Sequence, residues 1–128
     1  MFYQDEWINP FPGIGVFLTT HGYDEVNGLE ELRPFLEDGD YLGPWGLFDD
    51  CLFELAEDQF DRVVQEAVDA NQPFNFAVLT VDAHPPDGTP SASCTPYSEI
   101  DNNIFHAVHC TDQLIVNFVN HLNQILYG

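Results

Sequence analysis

The sequence predicts a single α/β domain in which helices flank a mostly parallel sheet. Three segments carry this prediction: an amphipathic helix that begins near Asp49, an apolar strand over 74–81, and a long final helix over 103–127. A helix followed closely by a strand that is apolar on both faces is typical of a parallel βαβ arrangement. The chain has 128 residues, which suffices for one domain and a modest core.

The helix near Asp49 has its apolar residues at spacings of three and four, which is the helical period. Asp49 or Asp50 can cap the first turn, where negative charge favours the positive end of the helix dipole. Asn71 is expected to end the helix, and Pro73 prevents its continuation. The predicted inward face consists of Leu52, Leu55, Ala56, Phe60, Val63, Val64, Ala67 and Val68.

The other segments give weaker signals. An irregular lead-in is predicted for residues 1–15, and residues 16–128 are predicted to form the rest of the domain. Residues 16–18 predict either a strand or a helix end, and 29–36 a short amphipathic piece. Residues 37–46 and 82–103 predict loops, because proline and glycine recur in them. The buried face predicted for the final helix consists of Ile104, Val108, Ile115, Phe118, Leu122 and Ile125.

The charge balance is strongly acidic. The chain has 22 Asp and Glu residues against Arg33 and Arg62, for a net charge of −20. Nucleic acid is excluded as a partner, because phosphate contacts need Lys and Arg, and anionic membrane surfaces are disfavoured. Two interpretations of the acidic surface stay open: a solvated surface suited to high salt, or a docking surface for a basic partner.

Targeting signals are not recognisable in the chain as given. No stretch approaches the roughly 20 apolar residues of a membrane helix. The N-terminus has neither the basic region nor the apolar region of a signal peptide. We therefore expect no export that depends on this sequence alone.

The candidate functional feature is His84, at which the predicted strand ends. Ligands of open α/β sheets bind at the carboxyl ends of strands, and a histidine there can hold a substrate or move a proton. Asp82 lies on the same side of an extended chain and could orient the ring or share a metal with it. Alternatively, His84 only hydrogen-bonds its own loop.

Other side chains could carry chemistry as well. His106, His109 and Asp112 recur every three residues on the final helix, so they could form part of a metal site with His84. A small metal-dependent hydrolase that uses Asp82, His84, His106 and His109 is one function that such a site allows. A zinc site needs three or four convergent ligands, and histidines on a helix surface are the simpler alternative.

Trp45 could form an aromatic wall for a sugar or glycerol group, or fill the core under its loop. The sequence contains no GxSxG, P-loop, CxxC or HExxH motif, and Ser91 and Ser93 have no special context.

The cysteine count is odd, with Cys51, Cys94 and Cys110, which argues against a complete disulfide framework. A bridge between Cys94 and Cys110 would close the loop after His84 and stabilise the fold by about 3 kcal/mol. Two free thiols are the alternative.

Five motifs occur in an order that resembles one enzyme family. They are His21-Gly22-Tyr23-Asp24-Glu25-Val26, Trp45-Gly46-Leu47-Phe48-Asp49-Asp50, Pro73-Phe74 leading to Leu79-Thr80-Val81-Asp82-Ala83-His84-Pro85-Pro86, Ser91-Ala92-Ser93-Cys94, and Ala107-Val108-His109-Cys110-Thr111-Asp112-Gln113-Leu114-Ile115. This order resembles the phosphoglycerol transferase branch of the sulfatase and alkaline-phosphatase superfamily, and more distantly the lipoteichoic acid synthases.

The resemblance implies a partial alkaline-phosphatase-like domain and a mechanism. In that superfamily, a metal-activated nucleophile attacks a phosphate or sulfate ester. The implied cofactor is a divalent metal (Mn, Mg, Zn or Ca), and the implied substrates are a phosphatidylglycerol-like or sulfate-ester donor and a glycan acceptor. The family works outside the cytoplasmic membrane, at its periplasmic face.

The resemblance also implies roles for particular residues. His84 matches a histidine that contacts the phosphoglycerol head group, and Trp45 and Asp49 match a motif that we expect on the substrate side. Cys94 and Cys110 match two family cysteines, which implies a disulfide that leaves Cys51 free.

The family's nucleophile and metal ligands lie outside the matching segment. We therefore expect 16–128 to be the central part of a catalytic domain, with no catalytic residue or metal ligand of its own and inactive alone. The alternative is a non-catalytic acidic protein that binds a partner or a glycan.

Overall fold

The structure is a computed structural model that describes residues 14–97 and 101–128. Most of the predicted lead-in at 1–15 lies outside the described residues, and its last two residues begin the first helix. In chain order the elements are α1 (Ile14–Thr20), α2 (Leu29–Leu32), a 3-10 turn (Arg33–Phe35), β1 (Leu42–Gly43), β2 (Gly46–Leu47), α3 (Asp49–Ala70) and α4 (Asn103–Tyr127).

The two long helices are confirmed. α3 begins at Asp49 and ends before Asn71, which adopts the left-handed conformation (φ 51°) that commonly terminates helices. α4 is capped by Asn102, whose side chain accepts a hydrogen bond from the backbone N–H of Ile104 at 3.0 Å. Within the described ranges, none of the helices combines the length and the hydropathy that crossing a membrane requires.

The predicted parallel sheet is not confirmed. The sheet that the described residues form has two strands, β1 and β2, and they are antiparallel. The predicted strand over 74–81 is irregular chain in which Val78 is an isolated β-bridge residue. The other bridge residue among the described residues is Asn27. Apolar composition predicted its burial, but a regular strand also needs a neighbouring strand with which to form a ladder.

The β1–β2 hairpin lies in a segment that was predicted to be a loop. Leu42 pairs with Leu47 and Gly43 with Gly46, so Pro44 and Trp45 form the turn between them. Gly46 has a φ of 119°, which residues with a Cβ rarely adopt. The hairpin therefore presents Trp45 at its tip.

The core consists of two clusters of buried apolar side chains. One contains Leu29, Leu32, Leu47 and Leu52, and the other contains Phe53, Ala56 and Phe118. Phe76 and Val78 pack against both clusters. The segment 74–81 is thereby held against α3, and its end lies beside the start of that helix.

The buried face predicted for α4 is partly wrong. Phe118 is buried as expected, but Val108, Ile115 and Ile125 are 51%, 43% and 41% exposed. The buried residues of α4 are Ala107, Cys110, Thr111 and Phe118. The helix is apolar on two faces, and periodicity alone does not tell which face packs against α3.

Candidate functional site

The site is centred on a stacked pair of rings, Trp45 from the hairpin tip and His84 from the loop after 74–81. Their ring centroids are 4.0 Å apart at an interplanar angle of 29°, and both side chains are half-buried. The Nδ1 atom of His84 lies 2.7 Å from the carbonyl oxygen of Pro85. A carbonyl oxygen only accepts, so Nδ1 carries the hydrogen, and Nε2 donates only when the ring is protonated.

A tight turn fixes the backbone of His84. Its N–H donates to the carbonyl of Val81 at 2.9 Å, and its carbonyl accepts from the N–H of Gly88 at 3.1 Å. Gly88 has a φ of 67°, and a Cβ there would lie 2.9 Å from the Cβ of Ala107. The turn is therefore packed closely against α4, and Gly88 allows that approach.

Asp49 fixes the end of segment 74–81 through hydrogen bonds to its backbone. Its side chain is fully buried and accepts from the N–H groups of Val81 (2.9 Å) and Asp82 (3.3 Å) and from the hydroxyl of Thr111 (3.1 Å). Burial raises the pKa of this carboxyl, and the hydrogen bonds oppose that rise. The substrate contact expected of Asp49 stays a prediction, and in the described residues its side chain is fully buried.

Asp82 is buried beside Asp49 and does not orient the ring of His84. Its carboxylate accepts a hydrogen bond from the hydroxyl of Ser91, which itself accepts from the N–H of Asp50 at 3.1 Å. The turn after Val81 breaks the alternation that would have placed Asp82 and His84 on one side. Burial raises the pKa of Asp82 to about 7, and the negative charge of Asp49 adds to the rise.

This raised pKa predicts a falling stability between about pH 4 and about pH 7. In this window the unfolded chain loses the Asp82 proton, since the ordinary pKa is 3.8, while the folded chain keeps it. The stabilisation is therefore complete at low pH and is lost as the pH rises. Asp82→Asn, which cannot ionise, should gain stability over the wild type as the pH increases, measured by urea denaturation across the range.

The matched control is Asp58→Asn, which makes the same change of charge at an exposed position of α3. Its stability curve should stay parallel to that of the wild type. If the Asp82→Asn curve is equally parallel, the protonation assigned to Asp82 is wrong.

Tyr41 extends this network to the hairpin. Its hydroxyl donates to Asp50 at 3.2 Å and accepts from the N–H of Ala92 at 2.7 Å. Burial raises the pKa of Tyr41 to about 12. Sequence reasoning assigned no role to Tyr41, Ser91 or Thr111. The available signal was the position of Ser91 and Thr111 within two of the five motifs.

The histidines of α4 contact the loop that precedes the helix. Nδ1 of His106 accepts from the N–H of Tyr97 at 2.9 Å, and the ring of His109 lies 5.2 Å from that of Tyr97. Asp112 is exposed. None of these contacts involves Asp82 or His84.

The part of the chain that the structure describes contains no three His, Cys, Asp or Glu side chains arranged to hold a metal ion. The divalent metal that the family resemblance implies is therefore not assigned to these residues. We derive no step through a metal from them.

A disulfide joins Cys94 to Cys110, with their Cα atoms 5.3 Å apart, and Cys51 remains a half-buried thiol. Cys110 lies on α4, so the bridge ties the loop after His84 to that helix. Burial raises the pKa of Cys51 to about 12, which makes it a poor nucleophile.

Comparison with known proteins gives one consistent result. Phosphoglycerol transferase I of Salmonella arizonae is 36% identical to this chain over 114 residues, which is 86% of the chain. The proteins of that name from Salmonella newport and Salmonella heidelberg match with the same identity and coverage. The chain spans only 14% of the length of these relatives.

Neither a protein-family model nor a solved structure matches the chain. The relatives confirm the resemblance to phosphoglycerol transferases that the order of motifs indicated. The chain is a homologue of one segment of the phosphoglycerol transferase I proteins.

Proposed function

We propose that this chain is the substrate-side segment of a phosphoglycerol transferase, in which His84 and Trp45 contact the phosphoglycerol group. The observation that carries the proposal is the stacked pair of rings. Within this pair, Nδ1 of His84 donates a hydrogen bond to the Pro85 carbonyl. Within the described residues, Nε2 makes no hydrogen bond to protein. That atom is the one available to a ligand.

The chemistry of the pair suits a phosphate ester of glycerol. A protonated imidazole donates its Nε2–H to a phosphate oxygen in a charge-assisted hydrogen bond. The face of Trp45 favours the protonated ring through a cation–π interaction and offers an apolar surface to the glycerol carbons. The names of the relatives favour a phosphate over a sulfate ester.

Asp49 acts in this proposal as a positioning residue. It fixes the two N–H groups that precede the His84 turn, while Thr111 ties the carboxylate to α4. Three parts of the chain thus support the turn that carries His84: the end of segment 74–81, the start of α3, and α4. Such support is what a binding group needs to keep its orientation.

The rest of the catalytic apparatus is proposed to belong to a longer transferase. Segment 74–81 would be a strand of a sulfatase-like parallel sheet whose other strands lie outside this chain. The nucleophile, its divalent metal and the site for a glycan acceptor would also lie outside the described residues. Turnover would then require the whole transferase at the periplasmic face of the membrane.

The test is calorimetric titration of the chain with glycerophosphoglycerol, a phosphodiester whose single charge does not change between about pH 5 and pH 8. The wild-type chain should show saturable binding of this diester. His84→Ala should weaken it about tenfold or more, which is the usual effect of losing a hydrogen bond to a charged group.

His109→Ala is the control, because it removes another half-buried histidine outside the ring pair. It should leave the affinity unchanged. Equal affinities of the wild type and His84→Ala would remove the role assigned to His84.

A second candidate function, glycan binding without catalysis, is favoured by a groove of about 700 Å³ between α3 and the segment that follows α1. Arg62 in this groove is paired with Glu25 at 2.7 Å and with Glu66 at 2.9 Å. The hydroxyl of Tyr23 donates to Asn75 at 3.3 Å, and the ring of Phe74 is 42% exposed. Neutralised charges, amides and an aromatic face suit an uncharged, hydroxyl-rich ligand.

Titration with a glucan oligosaccharide in the same calorimeter separates the two candidates. A chain that binds the oligosaccharide but not glycerophosphoglycerol favours glycan binding alone. Binding of glycerophosphoglycerol that depends on His84 favours the transferase segment.

A further inference from the structure

The β1–β2 hairpin that carries Trp45 is too short to fix its own tip. Each of its strands, Leu42–Gly43 and Gly46–Leu47, has two residues. A two-stranded hairpin is marginally stable at best in water unless it packs on other elements. Leu47 anchors β2, because its side chain is fully buried in the core. The position of β1, and of the turn that follows it, therefore depends on contacts outside the hairpin.

Tyr41 directly precedes β1 and supplies such contacts. Its hydroxyl accepts a hydrogen bond from the backbone N–H of Ala92 at 2.7 Å and donates to the carboxylate of Asp50 at 3.2 Å. Its ring stacks on the ring of Phe48, with the two centroids 4.5 Å apart. The side chain thereby connects β1 to the start of α3 and to the loop that follows His84.

Both ends of β1 contact this loop. Before β1, the hydroxyl of Tyr41 forms its hydrogen bond to the loop, and after β1 the indole of Trp45 stacks on His84. Between these two contacts β1 packs closely on the ring of Phe48, because a Cβ on Gly43 would lie 3.3 Å from its Cε1 atom. Since β1 is short and closely packed, a contact at its start also fixes its end.

We propose that Tyr41 is a positioning residue, whose hydroxyl holds the hairpin against the loop so that Trp45 stacks on His84. The residues that the hydroxyl contacts are themselves fixed, because the N–H of Asp50 donates to the hydroxyl of Ser91 in the same loop at 3.1 Å. Rings that are held in place before a ligand arrives lose less freedom when it binds. The effect on ligand affinity rests on the proposed function, whereas the effect on stacking does not.

The first test uses the chain without ligand. Because the two rings are stacked 4.0 Å apart, the ring current of the Trp45 indole shields the ring protons of His84. Tyr41→Phe keeps the ring that stacks on Phe48 and removes only the hydroxyl. At a fixed pH, the ring-proton resonances of His84 should move downfield in this variant. The direction should be that of a Trp45→Leu variant, which has no stack.

Tyr23→Phe is the matched control, because it removes the hydroxyl of another half-buried tyrosine, which donates to Asn75 at 3.3 Å. It should leave the resonances of His84 at their wild-type positions. A purely structural role of Tyr41 would lower the urea midpoint without moving these resonances. Resonances of His84 that stay at their wild-type positions in Tyr41→Phe overturn the proposal.

Titration with glycerophosphoglycerol gives the second readout. Tyr41→Phe should weaken binding about fivefold, which is the usual effect of losing one neutral hydrogen bond, and Tyr23→Phe should leave the affinity unchanged. A wild type that does not bind this diester removes the proposed function, while the resonances of the ligand-free chain still decide whether Tyr41 holds the stack. Moved resonances with an affinity equal to that of the wild type overturn the proposal, because the stack would then not serve binding.

Discussion

Replacing Asp49 with alanine is expected to lower the free energy of unfolding by about 3 kcal/mol. The substitution leaves three buried donors without an acceptor: two backbone N–H groups, of Val81 and Asp82, and the hydroxyl of Thr111. Each unsatisfied buried donor costs about 1 to 3 kcal/mol, and relief of the repulsion between Asp49 and Asp82 offsets part of this loss. Urea denaturation followed by circular dichroism measures the change.

Asp58→Ala is the control for this prediction, because it removes a carboxylate from an exposed position of the same helix. Its effect should stay within about 0.5 kcal/mol of zero. Asp49→Asn should be intermediate, since its amide oxygen can still accept but its NH2 group meets a donor. If Asp49→Ala is as mild as Asp58→Ala, Asp49 does not hold the end of segment 74–81.

Reduction of the disulfide between Cys94 and Cys110 is expected to cost about 3 kcal/mol of stability. The two cysteines are 16 positions apart, and a closed loop of this size restricts the unfolded chain by about that amount. Ser91, which bonds both Asp82 and Asp50, lies three residues before Cys94, so reduction should also weaken the support of the His84 turn. Thermal and urea denaturation with and without dithiothreitol measure the effect.

The double variant Cys94→Ala, Cys110→Ala separates loss of the bridge from other actions of the reductant. It should be less stable than the oxidised wild type and should not respond to dithiothreitol. A response of the double variant equal to that of the wild type would mean that the reductant acts elsewhere, with Cys51 as the remaining thiol.

The parts of the fold that depend on local sequence could be predicted. α3 and α4 were predicted because capping residues and apolar spacing are encoded within each helix. The parallel sheet predicted around segment 74–81 is not confirmed, because pairing depends on neighbours that its own residues do not specify. For the same reason, the exposure of Val108 and Ile115 could not be predicted from their spacing.

The candidate site could likewise be predicted only in part from the sequence. The residue types of Trp45 and His84 left their roles open. The resemblance assigned both to the substrate side, but their stacking was not predicted. The buried network of Asp49, Asp82 and Ser91 joins positions up to 42 residues apart, and no local pattern marks such contacts. Asp49 was therefore expected to contact substrate, although it is buried beneath the turn of His84.

The central claim is that the Nε2 atom of His84 contacts the phosphate of a phosphoglycerol group. The most direct measurement is a long-range 1H–15N spectrum of the five imidazole rings during titration with glycerophosphoglycerol. The account predicts a saturable shift of the Nε2 resonance of His84, with the rings of His21, His106, His109 and His121 little affected. An unmoved His84 resonance, or small shifts that are equal for all five rings, would contradict it.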